Sequence, residues 1–255
     1  MKRRQLMGYA GAGLVTTLVT SLGSHQKADA QSSGLSVQWL GHTCFLFTGG
    51  GARILVNPFQ TAGCTAGYRP PKVSADLILI SSQLLDEGFV DGLPGTPKLV
   101  YAPGVYEFQG IKLQGIGIDH DRLGGRRFGI NTAWRWQQGG INILHLGGAA
   151  APISTEQRIL MGRPDLALIP VGGSDKAYNA QEAKQAAEVL NPKLIIPTHY
   201  RTQAADAASC DIAPVDEFLN LMQGVTVRRS NTDTVNITSG NLPESSVIQL
   251  LSYRF

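Results

Sequence analysis

Leu166-Ala167-Leu168-Ile169-Pro170, Gln181-Glu182-Ala183-Lys184-Gln185-Ala186-Ala187-Glu188-Val189-Leu190 and Leu194-Ile195-Ile196-Pro197 follow one another as strand, helix and strand. The outer two are short apolar runs of strand length, and the middle one is rich in helix formers. Asn179, with Glu182 three residues on, offers that helix a capping-box start, and Asn191-Pro192 supplies its stop. Outward from this unit, residues 155–161 and 215–222 read as further helices and 225–252 as closing strands. Upstream the pattern is all strand: 35–40, 43–48, 53–57, 77–81, 98–101, 111–118, 132–137 and 141–146. A Gly49-Gly50-Gly51 hairpin and a Pro-, Gly- and Thr-rich loop over 58–71 separate the first of them. Strands followed by mixed βα units predict a layered α/β sandwich.

The 255 residues carry a formal charge of +3, a balance that taken alone favours polyanions. The excess lies in residues 1–30, where Lys2, Arg3, Arg4 and Lys27 stand against Asp29 alone; the rest of the chain is balanced. No basic run there exceeds the pairs Arg126-Arg127 and Arg228-Arg229, which excludes a nucleic-acid footprint. A hydrophobic content of 43% with 16% charged residues excludes wholesale disorder. Residues 31–255 suit one domain.

Residues 1–30 read as an export signal: Lys2-Arg3-Arg4, a Gly- and Thr-diluted apolar stretch over 8–22, then Ala28-Asp29-Ala30 as a cleavage site. The paired arginines resemble the twin-arginine type and point to the periplasm or a thylakoid lumen. The apolar stretch is too interrupted to span a bilayer, and no membrane span is expected in the mature chain. Disulfides persist in such compartments. Cys44 lies in an apolar run and reads as a small buried hydrophobe, which leaves a Cys64–Cys210 bridge possible.

Four histidines lie beyond residue 30: His42, His120, His145 and His199. Each falls in or beside a loop after an expected strand, where functional groups concentrate. Around them stand Trp39-Leu40-Gly41-His42-Thr43, Val56-Asn57-Pro58-Phe59, His120-Asp121-Arg122, Arg126-Arg127-Phe128-Gly129-Ile130-Asn131-Thr132, His145-Leu146-Gly147-Gly148, Pro170-Val171-Gly172-Gly173 and Ile196-Pro197-Thr198-His199-Tyr200. This ordered series resembles the metallo-β-lactamase superfamily, in particular its ascorbate-6-phosphate-lactonase-like branch. The resemblance implies a four-layered αββα sandwich with a two-metal site on the rim between the sheets.

The same resemblance implies a degenerate metal motif. The family's His-x-His-x-Asp-His signature stands here as Ser82-Gln83-Leu84-Leu85-Asp86-Glu87, its bridging aspartate is Gly148, and the aspartate of its Ile-Asp-Pro-Phe motif is Asn57. The first metal would need imidazoles where Ser82 and Leu84 stand, which leaves His120 as a remnant. The second would draw on Asp86, Glu87 and His199. Three protein ligands plus water is a workable zinc arrangement, and two carboxylates also suit manganese. His42, Asn57 and His145 are implied to stand behind the ligands, with Ser82, Leu84 and Gly148 lining the cleft.

Two functions are carried forward. One is an impaired, non-catalytic member that binds a small molecule or protein partner in the former cleft, without a cofactor. The other is a mononuclear hydrolase of phosphodiesters, lactones or similar esters, holding one Zn or Mn on Asp86, Glu87 and His199, with Asp86 and His120 as acid–base residues. Ser82 beside His199 or His120 is a metal-free nucleophile candidate lacking an orienting third group. Asp121 is expected to organise its own turn.

Overall fold

The computed structural model describes residues 34–205 and 208–255, so the export signal expected over 1–30 lies outside the described residues. Among the described residues, nine strands precede the first α-helix: β1 (Leu35–Gly41), β2 (Cys44–Gly49), β3 (Ala52–Val56), β4 (Leu77–Leu79), β5 (Lys98–Val100), β6 (Gly104–Phe108), β7 (Ile111–Asp119), β8 (Ile130–Gln138) and β9 (Ile141–His145). Then α1 (Thr155–Met161), β10 (Leu166–Pro170), α2 (Ala180–Leu190), β11 (Leu194–Thr198) and α3 (Val215–Leu221) alternate. The strands β12 (Thr226–Arg229), β13 (Thr234–Ile237) and β14 (Val247–Leu250) follow.

Two sheets result, with strand orders β13-β1-β2-β3-β4-β5 and β12-β14-β11-β10-β9-β8-β7-β6. In the second, β9, β10, β11 and β14 are parallel neighbours. β10 and β11 are buried along their whole length, which is why their sequences are unbroken apolar runs. β1, in contrast, alternates buried and half-buried residues, as a strand with one face on the core does. Side chains tie the sheets together. Phe47 meets Trp136 edge to face with centroids 4.9 Å apart, Trp134 donates to the Ile80 carbonyl, and the Gln138 amide reaches the Gly49 and Ala52 carbonyls.

The helices flank the second sheet, α1 against β7 and α2 against β10, with α3 on α2. The buried stripe of α2 is Ala183, Ala186, Ala187 and Leu190. Its ends match the sequence expectation. Asn179 and Glu182 bond each other's backbone N–H groups, and Asn191 ends the helix in the left-handed region with φ 44°.

Three features depart from, or add to, the sequence reading. Strand β6 carries no local signal, because it is a short, half-exposed edge strand containing Gly104 and Glu107. The closing strands divide between the sheets, β13 joining the first and β12 and β14 the second. Cys64 and Cys210, 146 positions apart, form a disulfide, while Cys44 is free and buried.

Candidate metal centre

The residues singled out in the sequence converge at strand ends. His42 follows β1, Asp86 and Glu87 lie in the turn after β4, His120 follows β7, Gly148 lies beyond β9, and His199 follows β11. His42, Asn57, Ser174 and His199 have φ of 51°, 51°, 70° and 50°. Non-glycine residues hold that conformation only where their surroundings over-determine it. For His199 the constraint is visible: the Gly172 N–H donates to its carbonyl at 2.9 Å. A Cβ at Gly172 would lie 2.2 Å from that same oxygen, so only glycine allows the approach.

One group gathers at the cleft. Ligating atoms of His42, Asp86 and His199 lie within 4.8 Å of one another. The two imidazole centroids are 4.5 Å apart, and His42 Nε2 is 3.8 Å from Asp86 Oδ2. Both rings are buried, yet His42 Nδ1, His42 Nε2 and His199 Nδ1 have no hydrogen-bond partner. Burial pushes His42 down to about 4 and holds His199 well below the usual histidine range, so both rings are neutral at pH 7 with lone pairs free. Burial acts to raise Asp86, but His42 and Lys176 outweigh it and bring the carboxyl down to about 2. Lys176 Nζ donates to Asp86 Oδ2. A cleft of about 490 Å³ opens here, walled by Leu84, Leu85, Phe128 and Ile212.

A second group is packed shut. Glu87 is buried, its Oε2 accepting from Ser82 Oγ at 3.2 Å and lying 3.6 Å from His120 Nε2. Burial, aided by the nearby Asp86, pushes the Glu87 carboxyl up to about 8, and burial lowers His120. Both are therefore neutral at pH 7, so their approach is not an ion pair. His120 Nδ1 donates to the Gly148 carbonyl at 2.5 Å. A Cβ at Gly148 would lie 2.2 Å from His120 Cε1 and 3.0 Å from Glu87 Oε2. Glu87 and His120 thus fill the space that a side chain at position 148 would need.

Other expected residues hold the frame. His145 donates Nε2–H to the Thr43 carbonyl and accepts the Gly147 N–H at Nδ1, which fixes its tautomer and uses both ring nitrogens. Asn57 accepts the Ser81 N–H. Asp121 accepts backbone N–H groups of Leu123, Gly125, Arg127 and Phe128, organising its own turn.

The trio expected from sequence was Asp86, Glu87 and His199; the trio brought together has His42 in place of Glu87. Glu87 is buried and held by Ser82, whereas Asp86 lines the cleft. Ser82 donates to Glu87 and is turned from nucleophilic use. Lys176 was not anticipated. It sits in Gly172-Gly173-Ser174-Asp175-Lys176, where nothing distinguishes it from a surface lysine. The donor set fits one divalent cation: two neutral imidazoles and a carboxylate converge, and ring nitrogens of both histidines lack hydrogen-bond partners.

Residues 36–199 match the profile described as the beta-lactamase superfamily domain. A Thermococcus onnurineus "UPF0173 metal-dependent hydrolase" is 29% identical over 200 residues, covering 68% of this chain and 88% of that protein. A Thermus thermophilus protein of the same name is 30% identical over 198 residues, covering 66% and 84%. A solved Thermotoga maritima structure of the metallo-beta-lactamase superfamily superposes with a TM-score of 0.67 at 27% identity, covering 85% of this chain and 98% of its own.

Proposed function

The chain belongs to the beta-lactamase superfamily, and from that premise we propose that it is a metal-dependent hydrolase using one divalent cation, zinc or manganese. His42, Asp86 and His199 would hold it. The observation that carries this reading is the set of unpaired imidazole nitrogens on His42 and His199, aimed at a space shared with the Asp86 carboxylate. Buried nitrogens without partners cost about 1–3 kcal/mol each. The names of the curated relatives support the same reading.

A bound cation of this kind supplies a water of lowered pKa and polarises an ester or phosphodiester bond. The protein's own part is positional. His42 and His199 stay unprotonated at neutral pH and keep their lone pairs for ligation. Phe128, Leu85 and Ile212 wall the cleft and limit water around an ester group. We place the protein in an exported compartment, on the strength of Arg3-Arg4 and Ala28-Asp29-Ala30 in the leader. The Cys64–Cys210 disulfide at the cleft suits an oxidising compartment.

Metal analysis of protein comprising residues 31–255, with hydrolysis of a p-nitrophenyl phosphodiester and an aryl lactone, tests the function. One zinc or manganese per chain, activity with it, and loss of both in His199→Ala are expected. A folded protein that takes up stoichiometric metal and hydrolyses neither compound overturns the catalytic reading. A second reading then gains ground: an impaired member binding a small molecule in the cleft, favoured by the Lys176–Asp86 contact and by Ser82, Leu84 and Gly148.

A further inference from the structure

Lys176 reaches the only carboxylate of the candidate trio and sits in the space that the two imidazoles face. Its placement is built. The loop carrying it is held at two carbonyls by Arg122, which donates to Ser174 O at 2.8 Å and Ala177 O at 2.9 Å. Arg122 is itself fastened to Glu182 of α2 through two nitrogens. Arg127 pairs with Asp175, the residue before the lysine. Ser174, in the same loop, adopts a φ of 70°. Lys176 is only a quarter exposed, although it stands at the mouth of an open cleft.

We propose that Lys176 is a resident counter-cation of the metal centre: its ammonium competes with the divalent ion for Asp86, so that metal entry requires the lysine to swing out. The proposal rests on the metal-site reading above and deepens it. Electrostatics gives the direction. An ammonium and a divalent ion repel each other across one carboxylate, and the oxygen that Lys176 holds, Asp86 Oδ2, is the one that stands 3.8 Å from His42 Nε2, so the two cations contend for it. The chain therefore keeps Asp86 neutralised without metal, and metal binding is weakened by the energy of the Lys176–Asp86 contact. At the cleft mouth the freed lysine then stands where an anionic ester oxygen would enter.

The test is zinc affinity, by competition with a chromophoric chelator at pH 7.5, for the unaltered protein, Lys176→Met and Lys176→Arg. Lys176→Met is expected to bind zinc at least about tenfold more tightly, a gain of about 1.4 kcal/mol. Lys176→Arg should stay close to the unaltered protein, because it keeps a cation. The rise in melting temperature on adding zinc should be larger for Lys176→Met. A gain below tenfold, or weaker binding, overturns the proposal; so does failure of both proteins to bind zinc, which also removes the metal reading. If Lys176→Met does not fold, Lys176→Gln is read by the same criterion. Tight binding by Lys176→Met without hydrolysis sustains the competition and sinks the catalytic reading alone. Equal binding in an active enzyme does the reverse.

Discussion

Asp86 and Glu87 are neighbours in one turn, yet their carboxyl groups are driven in opposite directions, one down to about 2 and the other up to about 8. Asp86 reaches the cleft, where Lys176 and His42 oppose its burial. Glu87 points beneath it, where burial and the charge of Asp86 both favour the protonated form. The two sides of the site differ accordingly. Around Asp86, ring nitrogens of two histidines lack hydrogen-bond partners and face a cleft; around Glu87, where Glu87 Oε1 and His120 Nε2 also lack them, Ser82, His120 and the bare backbone of Gly148 close against one another. The two sides are built in physically distinct ways. One is filled by packed neutral groups, while the other keeps its donors facing a cleft with the Lys176 ammonium on its carboxylate.

The largest effect separates the two sides by metal binding. His199→Ala removes a donor from the open side and should weaken zinc binding by more than about a hundredfold, beyond what outer positions cost. His120→Ala, on the closed side, should leave it unchanged in the same chelator competition. Equal losses in both variants would mean that the sides form one site.

Gly148→Ala strikes the closed side. The added Cβ would meet a buried imidazole at 2.2 Å, beside an equally buried Glu87. Overpacking of this kind costs about 2–3 kcal/mol, read as a lower urea midpoint at constant slope. An unchanged midpoint would show that this side is loose, contrary to the contrast drawn between the two.

Glu87→Gln sharpens the contrast through pH. In the folded chain Glu87 keeps its proton up to about 8, whereas the unfolded chain releases it near 4.5. Between those values the native state binds more protons than the unfolded state, so this group makes stability fall as pH rises through the window. The amide cannot ionise. The variant should therefore come close to the parent at pH 5 and gain on it by about 3–4 kcal/mol by pH 8. Urea unfolding at both values checks this, and a parent that gains stability from Glu87 over the same range contradicts the burial argument.

Much of the frame was legible because it is written in local chemistry. The capped α2 between two unbroken apolar runs, Asp121 in its turn, and the loop positions of His42, Asp86 and His199 need only neighbours in sequence to be read. What was not legible depends on direction and distance. Whether Asp86 or Glu87 faces the cleft turns on the path of one short turn, and the exchange of Glu87 for His42 follows from it. Strand β13 pairs with β1 across nearly the whole chain, and no periodicity announces that. Lys176 is the clearest case: its placement goes with contacts to its loop from Arg122 and Arg127, far upstream in the chain.

The smallest effect tests that clamp. Arg122 is more than a third exposed, and its pair with Glu182 is of the kind worth less than about 1 kcal/mol. Arg122→Ala should accordingly shift stability by no more than that, read from the urea midpoint. Yet it removes both hydrogen bonds that hold the Ser174 and Ala177 carbonyls and frees the loop carrying Lys176. If the lysine is held on Asp86 from behind, a looser loop weakens its competition, and zinc affinity should rise by less than about fivefold, in the direction of Lys176→Met. A stability loss without any change in zinc affinity would mean that Lys176 finds Asp86 unaided. The hydrogen bonds of Arg122 go to the Lys176 loop and to Glu182, so either result reads how firmly that loop places the lysine.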